Sequence, residues 1–86
     1  MVDSTRIGIK ALRHRLHCLL GEQVHGKTVE WIAVEKDPGG LAGCEYHHPV
    51  RRFTIYTDGH DAIDQIEWSR GKASSKNGLA SIIASS

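Results

Sequence analysis

The chain has 86 residues, 40% hydrophobic and 24% charged, with eleven Lys and Arg against ten Asp and Glu for a formal charge of +1. This length supports one domain with a modest core and excludes a two-domain enzyme with a cleft between its halves. The composition excludes disordered, collagen-like and coiled-coil classes, and the near-zero net charge lacks the basic excess common among nucleic-acid binders.

Residues 5–20 predict a helix. Ile9, Leu12, Leu16, Leu19 and Leu20 recur at helical spacing, Ser4 or Thr5 stands where an N-cap belongs, and Gly21 where a left-handed terminator belongs. At 100° per residue, Arg6, Lys10, Arg13, His14 and His17 share one flank of that stripe, while Ile7, Ala11 and Cys18 lie away from it. Residues 23–36 predict extended structure from Val29, Trp31, Ile32, Ala33 and Val34, with Gly26 as a break or bulge. Asp37-Pro38-Gly39-Gly40 predicts a turn and 39–47 a glycine-rich loop. Residues 50–57 predict a strand with Phe53 and Ile55 on one face, closed by the turn Asp58-Gly59. Residues 61–70 fit either a short helix capped by Asp61 or a returning strand. The strand is favoured, because a turn directly between two apolar runs makes a hairpin. From Ser69 onward there are six serines, two glycines and no acid, a linker-like pattern.

Together these elements predict an α+β fold. Its N-terminal helix packs on a small antiparallel sheet, or SH3-like partial barrel, of three to four strands. Residues 1–70 make up the domain, and 71–86 a Ser/Gly/Lys-rich tail with room for a docking helix at 78–84. No stretch reaches the about 18 apolar residues of a membrane span, and Met-Val-Asp-Ser-Thr-Arg leads into charged residues rather than an apolar signal region. Two cysteines, Cys18 and Cys44, fall short of a disulfide scaffold, so free thiols and a cytoplasmic location are expected.

Charge is uneven along the chain. Residues 1–27 carry a net +3, 28–50 a net −3, 51–69 a net −2 and 70–86 a net +3. Basic ends around an acidic middle suit internal complementarity, or a basic surface that meets an anionic partner. On the second reading, Arg6, Lys10, Arg13, His14 and His17, extended by Arg51 and Arg52, track the phosphates of a nucleic acid. A different chemistry arises from the pairs His14/His17 and Cys44/His47. Both have the spacing of zinc ligands, although neither is Cys-x2-Cys and the stretch between them holds an apolar strand rather than a short finger. Asp58, Asp61, Asp64 and Glu67 recur every three residues but do not match a calcium loop, so capping and solvation account for them.

Catalytic signatures do not appear. There is no Gly-x-Ser-x-Gly elbow, phosphate-binding loop or dinucleotide fingerprint, and Cys44 beside His47 and His48 lies on one loop, where sequence neighbours seldom reach productive geometry. The expectation is therefore a non-enzymatic interaction or regulatory module without a cofactor. It would bind a protein partner or itself, through Leu79, Ile82 and Ile83 or through a sheet edge. Weak nucleic-acid binding is the first alternative and a structural zinc module the second.

Overall fold

A computed structural model describes residues 3–37 and 49–85. Its elements are β1 (Asp3–Arg6), α1 (Ile9–His17), β2 (Gln23–Val24), β3 (Lys27–Thr28), β4 (Trp31–Lys36), β5 (Val50–Thr57), β6 (Asp61–Ser69), β7 (Lys72–Ser75) and α2 (Leu79–Ala84). Five strands form one antiparallel sheet in the order β1-β7-β6-β5-β4, and β2 and β3 form a separate hairpin. The α+β class and antiparallel pairing expected from the sequence are present. The sheet has five strands rather than three or four, and its linear order leaves two edges, so it does not close into a barrel.

Tight turns set the strand order. His25 and Gly26, at φ 53° and 77°, join β2 to β3 with two successive positive angles. Arg70 and Gly71, at 56° and 78°, join β6 to β7 in the same way. Such turns carry a twist that matches the flanking strands. Asp58-Gly59 lies between β5 and β6, so 61–69 returns as a strand.

The N-terminal helix is shorter than the periodicity implied. Ser4 and Thr5 are strand residues paired with Ser74 and Ala73, and Gly8 takes the cap position without a side-chain hydrogen bond. Cross-strand pairing outcompetes helix initiation there, because β7 lies alongside and offers backbone partners that a local cap cannot match. Residues 72–75, read as part of a linker-like tail, form β7 between β6 and β1. Serine is neutral enough toward extended structure for its neighbours to decide, and Ala73 and Ser75 are buried in that position.

Both helices lie on one face of the sheet. Leu12 and Leu16 of α1 and Leu79 and Ile83 of α2 join Phe53, Ile55, Ile63, Ile66 and Ala73 in one core, which Val24 and Val29 of the hairpin close at one end. Arg15 Nη1 donates to the Ile83 carbonyl at 2.9 Å, tying α1 to the C-terminal end of α2. Trp68 Nε1 donates to the Ile7 carbonyl at 2.7 Å and so holds the turn before α1.

Strand β6 is bulged. Ile55 pairs with Asp64 and Tyr56 with Ala62, leaving Ile63 as an extra residue. The bulge breaks the alternation and lets two consecutive side chains, Ile63 and Asp64, turn inward. Asp64 is 3% exposed. Its Oδ1 accepts from the backbone N–H groups of Gln65 at 2.7 Å and Asn77 at 3.2 Å, and its Oδ2 from that of Leu79 at 3.1 Å. Asn77 Nδ2 donates to the bulged Ile63 carbonyl at 3.1 Å, and Ser75 Oγ accepts from the Ala80 N–H at 2.9 Å. A carboxylate that accepts several amides in a dry site is held by charge-assisted bonds.

Asp64→Ala is expected to cost about 3 kcal/mol in urea denaturation, because it leaves buried amides without an acceptor. Asp64→Asn keeps one acceptor oxygen and should cost less. A loss below about 1 kcal/mol for the alanine variant contradicts the anchoring role.

Candidate functional site

The helix layer does not cover the whole sheet. Helix α2 packs against β1, β6 and β7. Helix α1 lies beside it with Leu12 and Leu16 inward, and its Arg15 side turned toward α2. The opposite flank of α1 faces the edge strand β4 across an open groove of about 430 Å³, lined by Arg13, Leu16, His17, Leu20, Glu30, Trp31, Ile32, Val34 and Phe53. A second depression of about 260 Å³ shares Arg13, Val34 and Phe53 with the first and adds Ile9, Lys36 and Arg51. The two form one trough along β4.

The trough has an apolar floor and a basic rim. Val34 is 55% exposed and Leu20 39%, two of the four large hydrophobic residues exposed among the described residues; Trp31, 42% exposed, borders the groove, but alternation turns its ring to the other face of the sheet. The concentration of apolar surface along one groove marks an interaction site more than scattered exposure does. At the far end Lys36 and Arg51 stand directly opposite each other in the β4–β5 ladder, with Arg13 above them. Like charges directly opposite on neighbouring strands repel, and no acidic residue lines that depression among the described residues. Glu30 is at the other end.

The sheet's other face is polar and internally paired. Arg52 lies between Glu35 on β4 and Glu67 on β6, at 3.7 and 3.9 Å. Gln65 Nε2 donates to Thr54 Oγ1 at 3.2 Å. Trp31 stacks on Tyr56 with centroids 4.1 Å apart, and its Nε1 donates to the Gly59 carbonyl at 3.2 Å.

The structure divides the residues grouped in the sequence. Lys10, Arg13, His14 and His17 stay exposed on α1, but Arg6 is on β1 at the opposite edge of the sheet. Arg51 faces the trough, whereas Arg52 points to the other face and is held by its two glutamates. The seven residues proposed for phosphate contact therefore do not form one surface; alternation along β5 separates the adjacent arginines. Leu79 and Ile83 are 0% and 1% exposed in the core, because Gly78 at φ 87° starts a helix that turns them inward, and only Ile82 remains on the surface, 44% exposed. Of the proposed zinc ligands, His14 lies 3.8 Å from Cys18 Sγ rather than converging with His17, and Cys44 and His47 lie outside the described residues. Among the described residues no group of three metal-ligating side chains occurs, and no helix is long and apolar enough to cross a membrane.

Sequence reasoning missed the groove. Ile32 and Val34 belong to the apolar run that predicts the strand, and nothing local says that the helix layer stops short of them. Val34→Thr should change stability by less than about 0.5 kcal/mol, as at an exposed position. Leu16→Ala, at the wall of the same groove but inside the core, should cost about 3 kcal/mol. Thermal or urea denaturation separates the two; equal losses would mean that the floor at Val34 is covered. No protein-family model, curated protein or solved structure matches this chain, so its function is read from the trough itself.

Proposed function

We propose that this chain is a protein-interaction module that binds through the α1–β4 trough and the outer edge of β4. The observation that carries the reading is the apolar surface of Val34, Ile32 and Leu20 gathered in the groove between α1 and the edge strand β4, with cations at its rim. An apolar centre with a charged rim is the anatomy of a protein interface, and an edge strand offers unpaired backbone groups to a second chain. The partner is another protein surface or a second copy, apolar at its centre and acidic where it meets Arg13, Lys36 and Arg51. The role is binding rather than catalysis and requires no cofactor. The proposed setting is the cytoplasm, where Cys18, exposed on α1, stays reduced.

Nucleic-acid binding is weaker on the same grounds. It needs Arg6, Arg52 and the α1 cations on one surface, and it needs exposed aromatics for stacking. Trp31 and Tyr56 already stack on each other.

A photo-crosslinking residue at position 34 tests the reading. Irradiation of the pure protein, and of the protein in an extract of its own cells, should yield discrete protein adducts, a second copy included. The same residue at Ser4, on the opposite edge strand, should not yield them. Equal adducts from both positions, or adducts to nucleic acid alone, would overturn the proposal.

A further inference from the structure

We infer that the occupant of the β4 edge is a second copy of this chain, paired antiparallel through β4 about a two-fold axis at Ala33. The inference rests on the interaction reading above and names the partner for that site.

The argument begins with the two edges of the sheet. Edge strand β1 spans four residues and leads directly into α1. Edge strand β4 spans six residues, and among the described residues no strand pairs with its outer side. Proteins protect such edges with short strands, bulges, prolines or charges. Between Trp31 and Val34, β4 has none of these, and two of those four residues are among the most exposed apolar side chains described.

A two-fold axis perpendicular to the sheet joins the two sheets and keeps both helix layers on one side. Residues facing each other across the axis must then point to the same face, which restricts the register to pairs of like parity. With the axis at Ala33, Ile32 meets Val34 of the partner subunit, and Glu30 meets Lys36 of the partner subunit. Each pair occurs twice. Glu30, Ile32, Val34 and Lys36 all line the trough, so all four lie on the helix side. On the other side Ala33 meets its own copy, and a small side chain at the axis permits close approach.

This register supplies the missing charge. Among the described residues the cluster of Arg13, Lys36 and Arg51 has no acidic neighbour in its own depression, and the pairing brings Glu30 of the partner subunit to it. Both apolar residues of the row, the exposed Val34 and the half-buried Ile32, gain an apolar neighbour directly opposite. An axis midway between two residues breaks the parity rule, and centring on Ile32 sets Glu30 against a valine and leaves Lys36 without an acid. Centring on Val34 places Ile32 against a lysine and leaves Glu30 without a cation.

Charge reversal tests the register. Glu30 and Lys36 are both exposed, so their substitution leaves the core unchanged. Sedimentation velocity across a concentration series should show reversible dimerisation of the natural sequence. Glu30→Lys and Lys36→Glu, each alone, set like charges against each other twice and should weaken dimerisation by about tenfold or more. Mixed together, the two variants should form a heterodimer, because every facing pair is then opposite in charge, and the double variant should dimerise with itself again. A natural chain that stays monomeric at all concentrations overturns the inference, and so does a dimer that neither single variant weakens. The interaction reading stands or falls separately: a monomer that still gives protein adducts from position 34 retains the module with another occupant, and one that gives none loses both.

Discussion

The Asp64 carboxylate is the interaction on which the rest of the fold depends. It sits in the core at a bulge in β6, and its hydrogen bonds from Asn77 and Leu79 bind the segment that follows β7. Without them, Leu79 and Ile83 have no fixed position over the sheet. Arg15 then loses the carbonyl it grips, and α1 loses its lateral support. A buried charge is costly unless its hydrogen bonds are met. Here they come from a turn of backbone that would otherwise leave its own N–H groups bare. His25 Nε2, 3.7 Å from Oδ2, brings the β2–β3 hairpin to the same point. One side chain thus joins the sheet, the second helix and the hairpin.

From that anchor the position of the trough follows. Helix α2 is fixed over the β1–β7–β6 side of the sheet, and α1 fits beside it. Two helices of nine and six residues do not span five strands. The deficit falls on β4, the edge strand on the side away from α2. The exposed apolar edge is therefore a remainder of how the helices dock, and the same geometry lays the cations of α1 along it.

Much of the strand content was legible because its signals are local. Phe53 and Ile55 alternate, Asp58-Gly59 turns, and Ile63 and Ile66 return. The α1 stripe was legible at Leu12 and Leu16, which are buried, and misleading at its start, where Ser4 and Thr5 suit a cap and a strand equally well until a partner strand is known. The partner, β7, is a run of lysine, alanine and serines whose extended state is imposed by its neighbours on both sides. The bulge at Ile63 and the inward turn of Asp64 left no pattern that a period of two or of 3.6 would detect. For the same reason a residue counted among solvating carboxylates is the structural anchor. The trough was hidden for a related cause: whether a strand's apolar face is covered depends on a helix elsewhere in the chain.

The pairing of β1 with β7 also constrains the order in which the molecule assembles. Asp3 is matched to Ser75, and among the described residues β1 has no other strand beside it. During synthesis, therefore, β1 emerges early and has nothing to pair with until β7 has followed. Contacts this far apart in sequence form late, because a long loop must close before they return any stabilisation. The β5–β6 hairpin can form as soon as it is made, but the edge beyond it cannot. A nascent chain stalled before Lys72 would hold β4 and β6 as two open edges at once. Completion of β7 is thus the step that covers β6 and gives β1 its partner, moving the open edge on that side from the nine-residue β6 to the four-residue β1.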